Sequence, residues 1–218
     1  RQKCDTYHCE VCQKNKLIGP GYGLLPPREA PLAPWSEVMV DLIGPWKIQV
    51  NNEDVFFSAL TCIDPVTNLV EIIRVENKTS HHVSQKFEEC WLNRHPRPNQ
   101  CIHDNGGEFI GKEFQELLSS YGIKQEPITI LNPISNGIKE RMHLTMADML
   151  RTMSFTVDDD TEGMWRTEVD GILQAVAWAL RTTVSAGHKF SPANMILGRD
   201  MILNREVKVN WDAIRAHR

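Results

Sequence analysis

Apolar and polar positions change period several times along this chain, and each change marks an element. VMVDLI (38–43) is a short apolar run bounded by Pro45, while VFFSALTCID (55–64) and NLVEIIRV (68–75) are longer runs rich in β-branched and aromatic residues. NNED (51–54) and DPVTN (64–68) are turn-rich, so the three runs predict a meander of paired strands. Within HHVSQKFEECWLN, Val83, Phe87, Cys90 and Trp91 recur at helical spacing. QCIHD then predicts a short strand, and Ile110, Phe114, Leu117, Leu118 and Tyr121 mark a helix that Gly122 can stop. After an extended KQEPITI segment, Ile138, Met142, Met146, Met149 and Met153 form an apolar stripe, and Glu140 lies off it. Beyond DDDTEG (158–163), Trp165, Val169, Ile172, Leu173, Val176, Leu180 and Val184 mark another amphipathic helix. Strands followed by alternating helices predict a mixed three-layer α/β core.

A chain of 218 residues with 41% hydrophobic and 24% charged residues suits one folded domain plus a small appendage. GPGYGLLPPREAPLAPWS is rich in Pro and Gly and predicts a linker over 19–36, after a Cys-containing segment over 1–18. The core is expected over 37–205 and an extension over 206–218. No apolar run approaches the 18 or so residues of a membrane span, and the first residues lack the apolar centre of a secretory signal. The expectation is therefore an intracellular protein with no membrane partner. A net charge of −4 supplies no whole-molecule attraction to nucleic acid, so such an attraction has to be local. Cys9 and Cys12 form CEVC, a spacing that brings two thiolates to one Zn²⁺, with Cys4 and His8 as alternative ligands; two reduced thiols are the plain alternative. Cys62, Cys90 and Cys101 fall on apolar positions and are expected in the core.

Three carboxylates change the picture. Asp41, Asp104 and Glu140 stand in the frames MVDLIGPW, IHDNGGEF and NPISNGIKERMH, with 35 residues between the second and the third. Their predicted places are the end of an apolar strand, the end of a second strand before a Gly-Gly turn, and the first turn of a helix. Converged, they can hold two divalent cations, and Mg²⁺ prefers such oxygen ligands. Each also has a plainer reading. Asp41 can be a strand-end acid, Asp104 a turn former, and Glu140 a first-turn acid favoured by the helix dipole. Gly106 and Gly107 suit a tight turn or a close phosphate approach, and Asn136 and Gly137 can shape the entry to the Glu140 helix. Asn136, Lys139 and Arg141 are candidate DNA contacts, with capping or solvation as their alternatives. His103 reads as strand-end packing or a local hydrogen bond, Glu108 as support beside Asp104, and Asp64 as a turn residue.

Together with FSPANMILGR (190–199), these frames resemble the integrases of retroviruses and long-terminal-repeat retrotransposons, especially the Ty3/gypsy type, over roughly residues 4–205. Asp41, Asp104 and Glu140 match that family's Asp, Asp, 35 residues, Glu catalytic set. The resemblance implies a ribonuclease-H-like fold with a mixed five-strand sheet and flanking helices, and two Mg²⁺ or Mn²⁺ ions at the three acids. It also implies DNA 3′-end processing and strand transfer, with element-end DNA and target DNA as partners, a homo-oligomer in the full protein, and a nuclear site of action. Cys9 and Cys12 would be the second half of a His, His, Cys, Cys module, so Zn²⁺ is expected only with ligands that precede Arg1, and the chain is expected to be truncated. The alternatives are a nuclease of the same fold and a domesticated, non-catalytic DNA or protein interaction module.

Overall fold

Asn51 and Asn52 take φ of 49° and 63°, the backbone that a two-residue turn between right-twisted strands requires. They join β1 (Glu37–Val50) to β2 (Glu53–Ile63), and β2 pairs antiparallel with β3 (Val70–Val75). The computed structural model describes residues 33–127, 143–144, 147–148, 156–157, 163–185 and 189–216. The apolar pattern ends the first strand at Pro45, yet β1 runs on to Val50. The register shifts between Ile43 and Trp46, where Gly44 has φ +110° and Pro45 is exposed, so a bulge accommodates the residue that has no N–H. Asp64 closes the β2–β3 turn from a fully buried position: its Oδ1 accepts from the Val66 N–H at 3.0 Å and its Oδ2 from the Thr67 hydroxyl at 2.7 Å.

Helix α1 (Ser80–Phe87) starts at Thr79, whose hydroxyl caps the His82 N–H, and passes into a π-helical turn over Glu88–Leu92. Phe87, Cys90 and Trp91 all reach the core, as their helical spacing predicts. Strand β4 (Gln100–His103) returns parallel to β1. Two short helices, α2 (Gly107–Ile110) and α3 (Lys112–Ser120), lead to β5 (Lys124–Pro127), which is parallel to β4. The exit from α3 is Gly122 at φ +69°, with the Ile123 N–H donating back to the Leu118 carbonyl. A two-residue β6 (Thr156–Val157) pairs with the end of β1, and α4 (Trp165–Thr182), α5 (Pro192–Leu197) and α6 (Trp211–Ala216) follow. The main sheet order is β3-β2-β1-β4-β5: the expected mixed five-strand sheet, with β6 added beside β1.

Alternation along the strands builds two cores. Met39, Phe57, Ala59, Ile72 and Ile102 face α4, where they meet Val169, Leu173 and Val176. Val38, Val40, Leu60, Cys62 and Cys101 face α1, α2 and α3, where they meet Phe87, Trp91, Phe109 and Phe114. Burial lifts the Cys62 and Cys101 thiols above their ordinary pKa, which suits inert packing residues. Two positions of the predicted apolar stripes are exposed instead. Ile110 is exposed because Gly111 breaks the helix in two and resets its phase, so that Phe109 is buried in its place; Val184 lies beyond the end of α4. No helix among the described residues is long and apolar enough to cross a membrane.

The break at Gly111 has a tertiary cause. Gly111 is the N-cap of α3 and has no side chain to cap with; the Ser80 hydroxyl, from α1, accepts from the Phe114 N–H at 3.1 Å instead. A Cβ on Gly111 would lie 2.3 Å from Ser80 Cβ. Gly111→Ala is therefore expected to lower unfolding stability by about 1–3 kcal/mol, the range for overpacked sites. Chemical denaturation checks this, and adding Ser80→Gly should recover part of the loss.

Candidate active site

Parallel pairing places the first two carboxylates. The pairs Glu37–Gln100, Val38–Cys101 and Met39–Ile102 differ by 63 in number, and so do Asp41 and Asp104. The pairing itself ends at Met39–Ile102; carried two residues further, the same offset would set Asp41 opposite Asp104, on the sheet face shared by Met39 and Ile102. Asp41 is still within β1, held opposite Thr61 of β2, whereas Asp104 immediately follows β4. The Asp104 Oδ1 accepts from the Gly106 N–H at 3.0 Å, so the Asp-Asn-Gly turn fixes one carboxylate oxygen.

Gly106 is at φ −58°, so its need for glycine is steric: a Cβ there would lie 3.0 Å from Asp104 Oδ1 and 2.9 Å from Glu108 Cδ. The Glu108 carboxylate thus sits across Gly106 from Asp104. Among the described residues, and leaving aside its own chain neighbours, nothing lies within 4 Å of the place a Cβ on Gly107 would take. His103 is fully buried against Phe109 and Phe114, and its Nδ1 bonds the Asp104 carbonyl at 2.6 Å. Asp64 faces away into its own turn, as described above.

Two residues that the sequence did not single out as site residues join this corner. The Thr61 hydroxyl donates to the Asp41 carbonyl at 3.2 Å and lies 3.3 Å from His143 Nε2. His143 Nδ1 lies 3.9 Å from Asp41 Oδ2, with both side chains largely covered. A threonine inside the apolar run FFSALTCI was the available signal for the first; His143, three residues after Glu140, carried none beyond its frame. Among the described residues, no group of three His, Cys, Asp or Glu side chains gathers closely enough to hold a metal ion. A carboxylate within β1 and another just after the neighbouring parallel strand β4 suit a hard cation that needs further oxygen ligands. Glu140, Asn136, Gly137, Lys139, Arg141, Cys9 and Cys12 lie outside the described residues.

Residues 38–133 match the integrase core domain family. The chain is 31% identical over 118 residues to the retrovirus-related Pol polyprotein from transposon TNT 1-94 of Nicotiana tabacum, covering 53% of this chain and 9% of that protein. It is 30% identical over 193 residues to the gypsy retrotransposon integrase-like protein 1 of Homo sapiens, covering 88% of this chain and 34% of that protein. The chain thus spans about a tenth of the first relative and a third of the second. Among solved structures it is similar to the intasome of simian T-cell lymphotropic virus, with TM-score 0.62 and 17% identity, covering 92% of this chain and 67% of that one. It is also similar to the HTLV-2 integrase catalytic core domain in complex with magnesium, with TM-score 0.55 and 17% identity, covering 75% and 97%. The architecture is the ribonuclease-H-like fold of integrase catalytic cores.

Proposed function

The chain is a relative of the integrases of retroviruses and long-terminal-repeat retrotransposons, the Ty3/gypsy type among them, and from that premise we propose that it is the catalytic segment of an element integrase. The observation that supports this reading is the parallel β1–β4 pairing, whose 63-residue offset Asp41 and Asp104 share. Glu140 is the third acid of the set, three residues before the His143 that lies against Asp41.

In this reading Asp41 and Asp104 hold Mg²⁺ or Mn²⁺, with Glu140 completing a two-ion site. When bound, the ions activate the attacking oxygen and offset the charge that grows on the leaving oxygen. Asp41 is kept in place through its carbonyl by Thr61, and Asp104 through its carboxylate by the Gly106 N–H. The face at Gly107 admits a DNA backbone, and Asn136, Lys139 and Arg141 contact its phosphates. First, water attacks a phosphodiester near the element end; its oxygen bonds to phosphorus, the bond to the 3′-oxygen breaks, and a 3′-OH is left. That hydroxyl then attacks a phosphodiester of target DNA, forming one P–O bond as the bond to the target 3′-oxygen breaks, with the proton passing through solvent to the 3′-oxygen released. The partners are element-end DNA, target DNA and further copies of the chain, and the reaction belongs in the nucleus. Cys9 and Cys12, with ligands from a preceding segment, hold Zn²⁺ in a module that serves assembly.

Labelled donor ends incubated with target DNA and Mg²⁺ test the reading. Joined product is the expected result. Cutting without joining would assign a nuclease, and DNA binding without either would assign an interaction module. Thr61→Val keeps the shape of the side chain and removes its hydroxyl. It is expected to lower joining about 10–100-fold, the range for changes beside metal ligands, with the fold retained by circular dichroism.

A further inference from the structure

His103 occupies a buried aromatic pocket. Its ring is fully buried, with centroids 5.4 Å from Phe109 and 5.9 Å from Phe114. Nδ1 lies 2.6 Å from the Asp104 carbonyl oxygen, so Nδ1 carries the hydrogen and donates it. That tautomer leaves Nε2 as an acceptor, and Nε2 is buried with no hydrogen-bond partner among the described residues. A buried acceptor without a donor costs stability, and two aromatic neighbours offer nothing to relieve it. What the imidazole supplies, and a phenyl ring cannot, is the bond from Nδ1 to the residue that follows it.

We propose that His103 is a positioning residue for Asp104, clamping its peptide carbonyl so that the carboxylate stands beside Asp41. The inference rests on the reading of Asp104 as a metal ligand. Strand β4 ends at His103, so Asp104 leaves the ladder just where its side chain has to be aimed. Two bonds replace the lost restraint: His103 Nδ1 holds the carbonyl, and the Gly106 N–H holds the carboxylate Oδ1. The first fixes the peptide plane and the second the side-chain torsion. The aromatic pocket in turn fixes the ring, because Phe109 and Phe114 are themselves fully buried. The orphaned Nε2 is then the cost of a donor placed for function, the pattern expected where activity and stability compete.

The experiment compares His103→Phe, His103→Asn and Asp104→Asn in the full chain, by thermal unfolding and by Mn²⁺ binding without DNA, followed by electron paramagnetic resonance. His103→Phe keeps a buried aromatic ring, a somewhat larger one, and removes both the donor and the orphaned acceptor. It is expected to stay folded, since relief of the orphaned acceptor offsets the tighter packing, while Mn²⁺ affinity falls about 10–100-fold, as for other outer-sphere partners of metal ligands. His103→Asn places an amide N–H where Nδ1 stood, and is expected to recover most of the affinity even though it packs less well. If His103→Phe fails to fold, or lowers the midpoint and the affinity together while His103→Asn recovers neither, the ring serves packing and the proposal is overturned. Parent-like affinity in His103→Phe, with Asp104→Asn defective, overturns it as well and leaves the integrase reading intact. Parent-like Mn²⁺ binding in Asp104→Asn would instead sink the reading of the site itself.

Discussion

Asp104→Asn is expected to reduce DNA joining at least about 10²–10³-fold, the size seen when one electrostatic stabiliser of a transition state is removed. The substitution keeps the side-chain oxygen that accepts from the Gly106 N–H, so the local turn should survive, while the negative charge facing the cation is lost. Asp41→Asn should do the same from the neighbouring strand, because the two acids share the offset of the β1–β4 pairing. Asp64 supplies the internal control: it too ends an apolar strand, but both its oxygens are used within its own buried turn. Asp64→Asn should lower the unfolding midpoint and leave the joining rate per folded molecule unchanged. Joining measured against the folded fraction checks all three variants. Parent-like turnover in folded Asp104→Asn would remove that residue from the chemistry.

Glu71→Ala is expected to cost about 3–5 kcal/mol of unfolding stability, as breaking a buried ion pair from one side does. Glu71 is 4% exposed on β3, and its Oε1 accepts from Arg181 Nη1 at 3.0 Å and lies 3.1 Å from His95 Nε2. The carboxylate therefore ties the edge strand to α4 and to the segment after the π-helical turn, where Trp35 stacks on His95 at 5.0 Å. Its removal leaves the Arg181 guanidinium, itself 18% exposed, without that partner. Replacing both partners at once, as Glu71→Met with Arg181→Met, should cost less than Glu71→Ala, because no charge is then stranded. Urea denaturation of the two variants orders them, and the reverse order would show that the pair contributes more than the desolvation it requires.

The elements that read correctly from the chain are those whose evidence is local. Val83, Phe87, Cys90 and Trp91 at helical spacing, the turn chemistry around Asn51 and Asn52, and Gly122 after α3 all act within a few residues of themselves. The misplaced boundaries are those that a distant residue decides. β1 passes Pro45 because β2 pairs with it on both sides of a bulge, and Ile110 is exposed because Ser80, from another helix, takes over the cap at Gly111. Glu71 is written inside an apolar run, and its two partners, 24 and 110 residues away, come from segments whose own patterns say nothing of it.

For the candidate site the division is the same. Residue type and spacing alone determined the α/β class and singled out three acids as candidates for hard-cation chemistry, since ligand chemistry and strand periodicity are properties of the residues themselves. That Thr61 and His143 stand against Asp41, and that Phe109 and Phe114 enclose the His103 ring, were decided by tertiary structure alone, whereas the bond from His103 to the Asp104 carbonyl is local and was one of the two readings the sequence offered. Side-chain hydrogen bonds join positions as many as 110 residues apart, and a local pattern of apolar and polar residues carries no record of which distant neighbour each one meets.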